Sequence, residues 1–96
     1  MLNSKQRMKL RSLAHHFEPS IIVGKHGLTK GVEQSIAESL EKNELIKVKF
    51  NNHKPQKKEI SKSIEANLEA DIVGSIGNIV IFYKQNPDPE KQVIST

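Results

Sequence analysis

Ninety-six residues, 35% hydrophobic and 27% charged, suffice for one domain with a modest core; that argues against an enzyme with a deep cleft and against a disordered chain. Cysteine is absent, which excludes disulfide staples and thiolate metal sites and fits a reducing compartment, and no apolar run approaches the roughly 20 residues of a membrane span. The formal net charge of +4 is unevenly placed: residues 1–32 hold six basic side chains against Glu18 alone, while residues 33–96 hold nine basic and ten acidic ones.

The first third therefore carries the whole excess, together with His15, His16 and His26. A field concentrated on part of a small surface attracts polyanions, so the expected partner is RNA, DNA or an acidic protein surface. The opening residues Met1 to Lys5 lack the apolar stretch of a secretory signal, and a cytoplasmic, membrane-free protein is expected.

In chain order, Asn3 or Ser4 can cap a first helix whose apolar positions Leu10, Leu13, Ala14 and Phe17 form one stripe, ended by Pro19. At about 100° per residue, Lys5, Lys9, Ser12 and His16 fall on one flank of that stripe, and Arg7 and Arg11 fall on the other. No acidic partner four residues on appears before Glu18, so the helix lacks internal ion pairs of the usual kind. Ile21-Ile22-Val23 is apolar throughout and predicts a central strand covered on both sides.

Gly24-Lys25-His26-Gly27 turns the chain, and Thr29 can cap a second helix running to about Asn43, with Val32, Ile36 and Leu40 as its buried positions and Gly31 in its first turn. Leu45 to Phe50 alternates as a half-buried strand, with Ile46, Val48 and Phe50 on one face and Lys47 and Lys49 on the other. A loop at 51–55 leads to a third helix near 56–67, which buries Ile60, Ile64 and Leu68. Runs at 71–76 and 79–83 flank Gly77-Asn78 and predict a hairpin, the second strand lying inside the sheet; from Gln85 the chain turns polar and is expected to fray.

The order α-β-α-β-α-β-β predicts a single α/β domain with a four-stranded mixed sheet over residues 1–84 and a polar tail over 85–96. Each strand-helix-strand unit should join parallel neighbours, placing the second and third helices on one face and leaving the first helix as the available cover for the other.

The glycine loop matches neither a Walker A loop, since Thr29 stands five residues past Gly24, nor a dinucleotide fingerprint, since position 26 is His. A bare Gly-x-x-Gly can be a tight strand-to-helix turn. It can also be an anion site, because amides in such a turn and at the following helix start lack internal partners, and Lys25 adds a mobile charge. Adjacent His15 and His16 point apart on a helix and cannot share a metal as an i, i+4 pair does, so no metal or cofactor is expected. Helix capping or contact with a nucleic-acid backbone suits them better. A small ribonuclease using His16 or His26 is the enzymatic alternative, though no second catalytic partner is fixed; a protein-interaction adaptor is the other. Of four aromatics, Phe17 and Phe82 read as core, so no stacking platform is expected and a backbone reader fits best.

Gln6-Arg7, Leu10 to His16, Val23 to Thr29, Glu44 to Lys49, Ile76-Gly77 and Ile79 to Tyr83 together resemble the CRM domain, the chloroplast RNA splicing and ribosome maturation module, over about residues 2–84. A chain of this length looks like the stand-alone bacterial, YhbY-like members. The resemblance implies a fold similar to the C-terminal domain of translation initiation factor three, and association with ribosomal RNA in precursors of the large subunit. It implies RNA contact by Gly24, Lys25, His26 and Gly27. Leu68-Glu69-Ala70 departs from the family's frequent Thr-Gly-Ala, and Lys84 replaces a common arginine. The expectation is a monomeric, non-catalytic RNA-binding protein that assists large-subunit assembly. Its contacts come from Gly24, Lys25, His26, Gly27, Thr29 and Lys30, extended by Lys5, Arg7, Lys9, Arg11, His15 and His16, with Lys47 and Lys49 as additions.

Overall fold

A computed structural model describes residues 2–51 and 56–92; of the loop expected at 51–55, all but Asn51 lies outside them, as does the chain end at 93–96. The elements are α1 (Ser4–Ala14), β1 (Ile21–Val23), α2 (Lys30–Asn43), β2 (Leu45–Phe50), α3 (Lys57–Leu68), β3 (Asp71–Ile76), β4 (Ile79–Tyr83) and a single 3₁₀ turn at Pro89–Lys91. Helix starts are capped where the sequence indicates. Asn3 Oδ1 accepts from Gln6 N at 2.8 Å while Gln6 Oε1 accepts from Asn3 N at 3.0 Å, a reciprocal capping box. Thr29 Oγ1 accepts from Val32 N at 3.2 Å.

The strand order is β1-β2-β4-β3. β1 pairs parallel with β2, in register from Ile21 opposite Val48 to Val23 opposite Phe50, and β4 runs antiparallel to both β2 and β3. β3 is thus parallel to β2 but not its neighbour, which corrects the expected arrangement. The two-residue turn, with Gly77 at φ 58°, forces β4 beside β3, and β4 is apolar on both faces, so the buried position between β2 and β3 is the one that covers it.

β1 is an edge strand and not a central one. Ile22 is 56% exposed, because α1 lies over β2, β4 and β3 and leaves that side of β1 open. α2 and α3 share the opposite face: Ile36, Leu40 and Ile64 pack with Val23, Ile46, Val48, Phe50, Val80 and Phe82. On the α1 face, Leu10 and Ala14 pack with Leu45, Val73, Ile81 and Tyr83. The first helix does cover the second face, but with half its expected stripe. Leu13, within α1, is 38% exposed, and Phe17 is 41% exposed, since α1 stops at Ala14 and the chain turns off toward β1 before Phe17 can pack.

A bulge interrupts β3 between Ile72 and Gly74. Gly74 lies under the Arg11 side chain, whose Cδ would stand 2.9 Å from any Cβ placed there. The chain after β4 is hydrogen-bonded back to the domain within residues 84–92. Lys84 N donates to Glu44 O at 2.8 Å, Asn86 N donates to Glu44 Oε2 at 2.7 Å, and Gln92 Nε2 donates to Asn86 O at 2.9 Å. Its polarity concealed this docking, because its anchor, Asn86, is a polar residue buried against a carboxylate.

Candidate nucleic-acid interface

Parallel pairing of β1 and β2 brings their C-terminal ends to one end of the sheet. Asn51 N donates to Val23 O at 2.9 Å and Phe50 N to Asn78 O at 2.7 Å, so the Gly24–Gly27 loop and the β3–β4 turn share this end. Lys57, the first residue of α3, donates through Nζ to Ser75 Oγ at 2.7 Å and to Gly77 O. Both α2 and α3 therefore begin here, and the positive ends of two helix dipoles face the same region.

Within the loop, Gly27 N donates to Gly24 O at 3.0 Å and Thr29 N to Gly27 O at 3.2 Å, so these two amides close the turn. Gly27 sits at φ 69°, a conformation glycine adopts without strain. The amides of Lys25 and His26 make no hydrogen bond among the described residues. Gly24 is a different case. A Cβ there would meet nothing within 4 Å and its φ is not in the left-handed region, so neither packing nor conformation demands glycine. Close approach of an external group to the backbone would.

Lys25, His26, Thr29 and Lys30 come together as exposed residues of the loop and the α2 start. The α1 residues divide. Arg11 lies over Gly74 on the β3 side, and Arg7, on the same flank, is half-buried with Nε lacking a partner among the described residues. Lys5 and Lys9 lie on the flank turned the other way, with Lys5 near the end that carries Leu2 and Gln6. His15 and His16 follow the α1 terminus, their rings edge to face at 5.8 Å. Lys47 Nζ donates to Phe17 O at 2.9 Å, and Lys49 stands opposite Ile22 in the β1–β2 ladder. Exposure of Phe17 and Ile22 beside these lysines was missed by the periodicity, though the brevity of β1 is a signal that it lies at an edge.

A cleft of about 890 Å³ opens at the opposite end of the sheet, lined by Glu41, Glu69, Asp71, Asp88, Tyr83 and Asn86 among others. It includes none of the histidines. Among the described residues no group of His, Asp and Glu is placed to hold a metal ion, and no helix is long and apolar enough to cross a membrane.

Fold and site define a small α/β domain that presents a basic, glycine-bounded loop at the C-terminal ends of its parallel strands. The chain belongs to the CRS1/YhbY (CRM) domain family, whose pattern matches residues 2–84. It is 37% identical to the probable RNA-binding protein YqeI of Bacillus subtilis over 94 residues, covering 97% of each chain. It is 33% identical over 93 residues to the probable RNA-binding protein PA4753 of Pseudomonas aeruginosa, covering 96% of this chain and 89% of that one. The solution structure of SAV1595 from Staphylococcus aureus superimposes with a TM-score of 0.81 at 31% identity, over 99% of this chain and 100% of the other.

Proposed function

We propose that the protein binds RNA through the loop end of the sheet and, as a cytoplasmic monomer, associates with ribosomal RNA in precursors of the large subunit and assists their assembly without catalysing a reaction. The observation that carries this is the Gly24–Gly27 loop itself: two amides left unbonded by the turn, an exposed lysine between the glycines, and a glycine that the fold does not need, in a family whose relatives are named for RNA binding. Lys25 and the loop amides hold a phosphate, Lys30 adds charge at the α2 start, and Lys9 with His15 and His16 extends the positive surface along α1. Such contacts read backbone and shape, and they weaken steeply with salt.

Lys25→Glu tests the core of this. RNA affinity at physiological salt falls at least about tenfold, the slope of log affinity against log salt shrinks by about 1, and the melting temperature stays put. Unchanged affinity and slope would overturn it. For the ribosomal assignment, the protein co-sediments with large-subunit precursors and RNase releases it; retention after RNase points instead to an adaptor on an acidic protein. Purified protein leaves RNA uncut; cleavage lost on His16→Ala or His26→Ala would restore the ribonuclease alternative.

A further inference from the structure

We infer that the uncovered margin of the sheet beside β1, formed by Phe17, Ile22, Lys47 and Lys49, seats unpaired bases of the RNA whose backbone the Gly24–Gly27 loop holds; this rests on the RNA-binding reading above. Parallel register sets Ile22 opposite Lys49, so the two side chains leave the same face of the sheet. That face is the one under α1, because Leu45, two and four residues before Lys47 and Lys49, packs with Leu10 and Ala14. α1 covers β2, β4 and β3, and Ile22 is left in water while Val23 is fully buried on the other side.

The connection from α1 to β1 brings Phe17 to the same margin. Its carbonyl accepts from Lys47 Nζ at 2.9 Å, and three residues on, Ser20 N donates to Lys47 O at 3.0 Å. Phe17 and Ile22, 41% and 56% exposed, thus lie along the margin that also carries Lys47 and Lys49, and Ile22 lies two residues before Gly24. Two residues of strand span about 7 Å, so a nucleotide whose phosphate rests at the loop lays its own or a neighbouring base over the margin.

The chemistry selects the occupant. A purely apolar partner would cover Phe17 and Ile22 but strand the ammonium groups of Lys47 and Lys49 without counter-charge. A nucleotide supplies both, a flat face for the ring and the isoleucine and a phosphate for the lysines, whose methylene stems add apolar surface. Bases inside a duplex offer only their edges, so the margin discriminates in favour of loops, bulges and single strands.

The test uses the full chain with an unstructured RNA oligonucleotide and a duplex of the same length. Phe17→Ala and Ile22→Ala each lower affinity for the single strand, Phe17→Ala by about tenfold, while duplex affinity and the salt slope stay as in the unaltered protein. Phe17→Trp retains affinity, and its fluorescence is quenched by the single strand and not by the duplex. Equal losses on both RNAs, or none on either, overturn the inference, as does Phe17→Trp fluorescence that the single strand leaves unquenched. If the unaltered protein binds both RNAs with a Lys25-dependent salt slope but these variants change nothing, only this inference falls; if it binds neither RNA, the parent reading falls with it. Should Phe17→Ala melt early, Ile22→Ala and the fluorescence of Phe17→Trp decide.

Discussion

The two ends of the sheet differ in sign and in how far each satisfies itself. Where β1 and β2 finish, Lys25, His26 and Lys30 are exposed, two loop amides are unbonded among the described residues, and Gly24 faces empty space. At the other end, Glu44 is fully buried, its backbone N–H donates to Leu40 O at 2.8 Å, its carbonyl accepts from Lys84 N, and its carboxylate accepts from Asn86 N. Asn86 in turn donates to Glu41 O at 3.3 Å and accepts from Asp88 N at 2.9 Å. One end is closed on itself; the other is open to a partner. Charge counts over the chain find the basic first third and not the acidic end, since residues 33–96 hold nine basic and ten acidic side chains, and only hydrogen bonding separates the group that builds the fold from the group left for binding.

The closed end is most vulnerable at Glu44. Glu44→Ala removes a buried acceptor and leaves Asn86 N unsatisfied, at a cost of about 2 kcal/mol. For a domain of this size that lowers the melting temperature by roughly 8–16 °C, while RNA affinity of the folded protein is retained. Glu44→Gln recovers part of the loss. A thermal melt unchanged in Glu44→Ala would show that the closed end is not held by this carboxylate.

The loop glycines sharpen the contrast at the open end. Gly27→Ala forces a Cβ into the left-handed region at φ 69° and destabilises by about 1 kcal/mol in urea unfolding. Gly24→Ala leaves stability unchanged and yet weakens RNA binding, because its side chain stands where the backbone should meet phosphate. Equal binding by Gly24→Ala and the unaltered protein would leave that glycine without a role.

The smallest effect is a gain. Glu69 caps α3 at φ 53° and ψ 42°, the left-handed position that glycine usually takes, so the departure from the family's Thr-Gly-Ala keeps the turn and bears its strain in a glutamate. Glu69→Gly stabilises by about 0.5–1 kcal/mol, read as a small rise in melting temperature, with no change in RNA affinity.

Much of this was legible in sequence because local chemistry decides it. Thr29 caps α2 since its hydroxyl is short and correctly placed; Gly77-Asn78 turns a hairpin by conformational preference; Ile46, Val48 and Phe50 alternate because a strand has two faces. What escaped depends on neighbours distant in the chain. Ile22 reads as core until β4, and not β1, takes the inner position, and Phe17 reads as core until α1 ends at Ala14. Glu44 and Asn86 carry no local sign of burial, since each is buried only by virtue of the other and of the carbonyls around them. Likewise the loop residues and the two flanks of α1 cations were nameable from spacing, whereas which flank lies toward β3 required the position of Arg11 over Gly74.

The edges of the sheet have a consequence for solubility. An open sheet with two free margins invites a strand from another molecule, the route by which β proteins polymerise. Here β1 offers only three residues, and β3 breaks its ladder at the bulge between Ile72 and Gly74, with Arg11 laid across the break. An incoming strand finds too short a template on one side and a twisted, charged one on the other, so the sheet leaves Ile22 accessible without becoming a seed for its own extension.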